Sequence, residues 1–199
     1  MNVMSQTKDI EIRLALHVKK LRVFHEAPDT VVVDELGLSH AKARVDIAVI
    51  NGCLHGYEIK SSLDTLVRLP HQLRLYTQCL EKLTLVCATR HIERVRVIAP
   101  KWCGILLAEK GPRGGINFTT IRRTGSNPNI DPVQLAHLLW RREAVLLLSR
   151  FEHNQKLLTK PRKQLYEALA KELTVTELTA EIREFMKLRG DWRCPPRPA

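Results

Sequence analysis

The stretch RVDIAVINGCLHGYEIKSSLDTLVRL, Arg44 to Leu69, decides how the chain is read. It holds two strand-like runs around Asn51-Gly52, a dipeptide suited to a tight hairpin turn. Strand interiors usually avoid Asp, Glu and Lys, yet Asp46, Glu58 and Lys60 stand inside these two. Residues two apart on a strand share a face. Glu58 and Lys60 therefore project together, away from Tyr57 and Ile59. Asp46 shares its side with Arg44 and Ala48, and Val45, Ile47 and Val49 turn the other way. A two-residue turn pairs Asp46 with Tyr57 and sends the charges to opposite faces. One extra residue, as a bulge or a three-residue turn, pairs Asp46 with Glu58 and gathers the charges. The reading predicts that longer turn.

Outward from the hairpin, helix and strand patterns alternate. Residues 8–23 read as a helix, with Ile10, Leu14, Val18 and Leu21 at helical spacing and Asp9 and Glu11 in the first turn, where they suit the dipole. Residues 30–36 are rich in β-branched residues and read as a strand, and SHAKA, 39–43, as a loop. After the hairpin, Pro70 suits the first turn of a helix, and Leu69, Leu73, Leu80 and Leu83 form one apolar stripe. Residues 83–88 and 94–100 read as short strands, and 104–110 with 116–123 as a peripheral hairpin around GPRGG. Residues 123–132 read as a loop or linker, and beyond them the pattern is helical. One helix is expected from a cap at Asp131 to Phe151, a second near Pro161, and a third capped by Thr174 or Thr176. The tail DWRCPPRPA is Pro-rich. These patterns divide the chain into a mixed core, 1–125, and a helical C-terminal module, 126–199.

Composition narrows the class. The 199 residues carry 32 Lys/Arg against 21 Asp/Glu, a formal net charge of +11. The excess runs along the whole chain and favours a polyanionic partner, which usually means nucleic acid. No run of about 18 apolar residues suggests a membrane span, and the N-terminus lacks the apolar stretch of a signal peptide. A cytoplasmic protein is expected. The five cysteines form no CxxC and are odd in number, so they read as small buried hydrophobes rather than a disulfide framework or zinc site.

Two carboxylates converging at Asp46 and Glu58 would suit Mg²⁺ or Mn²⁺, hard cations that take oxygen ligands. Lys60 beside them could orient a water on a phosphodiester. Gln72 and Tyr76, four apart on the following helix, share a face. The run D…ExK…QxxxY resembles the PD-(D/E)XK nuclease superfamily, in its RecB and lambda-exonuclease-like branch and within it a group of small bacterial and phage proteins. The resemblance covers roughly residues 8–110.

That resemblance implies an α/β (α+β) fold with a restriction-endonuclease-like αβββαβ core and a mixed sheet. It implies a Mg²⁺- or Mn²⁺-dependent deoxyribonuclease, with Asp46 and Glu58 as metal ligands, Lys60 as catalytic lysine, and Gln72 and Tyr76 positioning the strand. A third acid would come from Glu35, preferred to Glu11. Arg44 and Arg68 would join Gln72 and Tyr76 on nucleic acid. Asp64 and Arg68 are spaced to pair with each other. The strict Pro-Asp dipeptide is absent, since Val45 precedes Asp46. The alternative is a catalytically inactive nucleic-acid-binding or regulatory protein. A homodimer is compatible with either.

Overall fold

In the computed structural model, residues 6–39, 42–151, 156–190 and 192 are described. The sheet has six strands in chain order: β1 (Val31–Leu38), β2 (Ala43–Ile50), β3 (Leu54–Lys60), β4 (Lys82–Ala88), β5 (Gly104–Lys110) and β6 (Ile116–Arg122). It is mixed. β3, β4 and β5 run parallel, and β1–β2, β2–β3 and β5–β6 are antiparallel. The parallel pairs need crossovers, and short helices supply them: α3 (Leu69–Thr77) between β3 and β4, and α4 (Ile92–Ile98) between β4 and β5.

The hairpin takes the three-residue turn. Ile50 pairs with Leu54 and Ile47 with Tyr57, so the same register, continued one step, sets Asp46 opposite Glu58. The turn is held by Asn51, whose side-chain oxygen accepts the Cys53 N–H.

Two apolar layers cover the sheet. On one face α1 (Asp9–Lys19) lays Ile12 and Leu16 over Ile47, Val49, Ile59 and Val86. The stripe expected from the sequence, Ile10–Leu14–Val18, is on the opposite side of this helix and more than half exposed; the helix is turned so that Ile12, Leu16 and His17 are buried. Leu21 is buried with them, and α2 (Arg22–Glu26) follows it. Glu11 serves the start of α1, accepting the Lys8 N–H and pairing with Lys110.

On the other face α3 and α4 pack with the C-terminal helices α5 (Pro132–Ala136), α6 (Arg141–Leu148), α7 (Arg162–Glu172) and α8 (Val175–Lys187). Leu135, Leu165, Leu169 and Ile182 share one apolar cluster with Leu38, Leu54 and Leu83 of the sheet. Glu81 ties the layers together: it accepts the Leu54 N–H and both its oxygens bond Arg183 of α8. Gly56 permits a close approach here, because a Cβ at that position would lie 2.7 Å from Leu80 Cδ1 and 3.1 Å from Val45 Cγ2.

Several local expectations change. Residues 94–100 are mostly helix α4 rather than a strand, so 104–110 lies beside β4 in parallel, and the hairpin it forms with 116–122 around GPRGG ends the sheet at its β6 edge. The single helix expected over 131–151 is two, α5 and α6, broken at 137–140. Asp131 does cap α5, accepting the Val133 and Gln134 N–H groups, and Thr174 caps α8. Cys79, Cys87 and Cys103 are buried, and burial pushes each thiol up to about 12. Cys194, most of the Pro-rich tail, and residues 40–41 of the expected loop lie outside the described residues. Among the described residues no helix is long and apolar enough to cross a membrane.

Candidate functional site

The charged residues of the hairpin meet at one place because two strands change phase together. On β1, Val33 faces the α3 layer, and so do Leu36 and Leu38, which an unbroken alternation would send the other way. On β2, Val45 faces that layer while Ile47 and Val49 face α1. Both slips occur where Glu35 and Asp46 oppose each other, so the β1–β2 register is unchanged on either side. Glu35 carries the cost in its backbone, with φ of 60°, a left-handed conformation uncommon outside glycine. Val45 therefore does not share a face with Ile47 and Val49.

The slip frees Asp46 from the strand ladder. Its Oδ2 accepts the Ile59 N–H at 2.6 Å, its Oδ1 accepts from Arg13 Nη2 at 3.1 Å, and its backbone oxygen accepts from Arg13 Nη1 at 2.7 Å. The same guanidinium reaches Glu35 Oε1 at 2.9 Å and Asp9 at 3.3 Å. Burial and the neighbouring Glu58 charge outweigh the Ile59 N–H and Arg13, and hold the Asp46 carboxyl up at about 7.

Glu58 and Lys60 project from β3 into the layer beneath α3. Leu69 and Leu73 anchor that helix in the core, which brings Gln72 and Tyr76 over the strand. Glu58 Oε1 accepts from Lys60 Nζ at 2.6 Å and from Gln72 Nε2 at 2.7 Å. Its Oε2 lies 2.6 Å from the Tyr76 hydroxyl. Gln72 Oε1 accepts from Lys60 Nζ in turn, at 3.2 Å. The Tyr76 hydroxyl also lies 2.7 Å from the Arg44 carbonyl oxygen, so one hydrogen is shared between two acceptors. Burial and Glu58 push the Tyr76 phenol well above its ordinary range. Glu58 is 1% exposed and Lys60 7%.

The structure thus brings together Asp46, Glu58, Lys60, Gln72 and Tyr76, with Glu35 joined through Arg13. Glu11 is used elsewhere. Arg44 pairs loosely with Glu35 at 3.4 Å. Arg68 is exposed, just before α3. Asp64 does not take Arg68; its Oδ2 accepts the Ser61 N–H and hydroxyl. The sequence reading missed Arg13, whose only signal was a cation on the first helix between two apolar residues.

Every carboxylate oxygen of Asp46 and Glu58 therefore already accepts a protein donor. A divalent ion between them would compete with Arg13 and the Ile59 N–H at one, and with Lys60, Gln72 and Tyr76 at the other. Among the described residues no three His, Cys, Asp or Glu side chains are grouped to hold a metal ion.

Fold and cluster together define a basic mixed α+β protein with a closed, internally satisfied polar network. The model of the family described as bacteriophage P4 protein cII matches residues 5–191, and the chain belongs to that family. A curated relative, Protein cII of Enterobacteria phage P4, is 33% identical over 88 residues, which is 44% of this chain and 33% of that protein. The aligned stretch thus spans about a third of the relative's length. No solved structure matches the chain.

The family match overturns the resemblance to the PD-(D/E)XK nuclease superfamily. With it fall the readings of the chain as a nuclease, a hydrolase and a metal-dependent deoxyribonuclease. D…ExK…QxxxY is here the sequence trace of a buried network, and that network satisfies the same spacing.

Proposed function

We propose that the chain is a phage regulatory protein that binds DNA without cutting it. The observation that carries this reading is Glu58, almost wholly buried and held by Lys60, Gln72 and Tyr76. A carboxylate so placed fastens α3 to β3. Three of its roughly four acceptor sites are taken by protein donors. Membership of a phage family and the net charge of +11 support nucleic acid as the partner, DNA ahead of RNA. Arg44 and Arg68, at the solvent side of the cluster, are the proposed phosphate contacts, and the helices from residue 126 brace the sheet behind them. The reading requires no ion, and the protein would act in the cytoplasm, where the DNA is.

Salt-dependent binding to a labelled duplex tests it. The logarithm of the binding constant should fall linearly with that of salt concentration, and Arg68→Ala should reduce the slope by about 1. Binding that ignores salt, or an unchanged slope in Arg68→Ala, would remove Arg68 from the interface.

A further inference from the structure

The sheet face that carries α1 is not covered along its whole length. Beyond the end of α1 a recess of about 280 Å³ opens, floored by His55 and Tyr57 of β3 and Thr84 of β4, and rimmed by Lys20, Arg123 and Thr124. It lies on the opposite side of the sheet from the Glu58 cluster.

Three features of the recess suit an anion with a flat ring. First, Lys20 and Arg123 are exposed, neither side chain is paired with a carboxylate, and no carboxylate lines the recess among the described residues. Second, the His55 and Tyr57 rings stack with centroids 4.3 Å apart, and His55 is half-buried, which offers a ring edge and face to a planar group.

Third, the floor is wired for donation. His55 Nε2 lies 2.9 Å from the Thr84 hydroxyl, and that hydroxyl lies 2.7 Å from the hydroxyl of Thr124. The Tyr57 hydroxyl lies 3.4 Å from His55 Nδ1. Burial and Lys82 hold His55 down at about 4, so the imidazole is neutral and has one nitrogen to donate and one to accept. When the chain runs from Tyr57 through His55 and Thr84 to Thr124, the Thr124 hydrogen is left for an acceptor in the recess. Gly104 makes this arrangement fit, because a Cβ there would lie 2.0 Å from Thr124 Oγ1.

We propose that this recess binds a nucleoside monophosphate, with the phosphate between Lys20, Arg123 and Thr124 and the base against His55. The site stands apart from the proposed DNA contacts at Arg44 and Arg68, so either can fail alone. The phosphate can come from a free nucleotide or from the end of a strand, and the two sources are separable.

Calorimetric titration of the full chain with adenosine monophosphate, inorganic phosphate and a 5′-phosphorylated single-stranded oligonucleotide, in separate arms, tests the proposal. The variant is Lys20→Glu with Arg123→Glu, both at exposed positions, checked by its circular dichroism melt. Lys163→Glu with Lys171→Glu, both exposed on α7 on the opposite face, makes the same change in net charge and serves as the control. Binding of the mononucleotide, weakened about tenfold or more by Lys20→Glu with Arg123→Glu and little changed by Lys163→Glu with Lys171→Glu, is the expected result. Binding of the oligonucleotide alone with the same sensitivity assigns the phosphate to a strand end and supports the site. Inorganic phosphate bound as tightly as the mononucleotide overturns the nucleotide assignment. No binding of any probe, or equal binding by wild type and Lys20→Glu with Arg123→Glu, overturns the site altogether.

Discussion

Glu58→Ala is the perturbation that separates a structural fastener from a working site. The Glu58 and Lys60 side chains are 2% and 9% exposed and lie 2.6 Å apart. Removing the carboxylate leaves the Lys60 ammonium buried with only Gln72 Oε1 to accept from it. It also takes an acceptor from Gln72 Nε2 and from the Tyr76 hydroxyl. Breaking a buried pair by deleting one partner costs about 3–5 kcal/mol. In a chain of this length that lowers the melting temperature by about 6–20 °C. Replacing both partners with apolar residues, Glu58→Leu with Lys60→Met, removes the uncompensated charge and should recover most of the loss. Denaturant unfolding followed by circular dichroism measures both. A site held for chemistry behaves in the opposite way, since removing a strained functional carboxylate is commonly neutral or stabilising. Glu58→Ala within about 1 kcal/mol of wild type would refute the reasoning, because the structure leaves no inexpensive way to bury Lys60 alone.

Other expectations follow from the same geometry. Asp46 holds its proton more tightly folded than unfolded, since its carboxyl is raised to about 7 from the ordinary 3.8. The folded state therefore binds more protons between those values, and this group's contribution is present at low pH and lost as pH rises through 7. Asp46→Asn should flatten that part of a stability–pH profile recorded from pH 4 to about 8. Gly56→Ala would press a methyl against Leu80 and Val45, and should cost about 1–3 kcal/mol in a urea melt. About 10 mM Mg²⁺ should leave the melting temperature where EDTA leaves it, because an ion that bound the folded state with a millimolar constant would raise stability by about 1.4 kcal/mol.

Much of the fold was legible because local signals agreed with burial. The Asn51-Gly52-Cys53 turn, the β-branched run of β1 and the leucines of α3 each point one way, and the structure follows them. The segment around 94–100 did not, because Val95 and Val97 alternate with arginines as in a strand. Only Val95 is buried there, together with Ile92 and Ala99 at helical spacing, while Val97 is 77% exposed. On α1 an apolar stripe was present but was not the buried one, since Ile12 and Leu16 face the sheet. Strand spacing and the turn register pointed to Asp46, Glu58 and Lys60 meeting, and the family resemblance added Gln72 and Tyr76; the structure places all five together. The use of the cluster was not legible. Spacing cannot distinguish charges that converge on a ligand from charges that satisfy one another. The local geometry turns on Arg13, which gave no pattern, and on the joint phase slip at Glu35 and Asp46, which leaves the pairing register untouched but breaks the in–out alternation of both strands.

The central claim is that the chain engages DNA and leaves it whole. Fluorescence anisotropy of a labelled duplex, in EDTA and in Mg²⁺, followed by a denaturing gel of the same samples, tests it most directly. The account predicts equal, salt-sensitive binding in both buffers and full-length DNA on the gel. Mg²⁺-dependent shortening that disappears with Lys60→Ala, or no binding in either buffer, would contradict it.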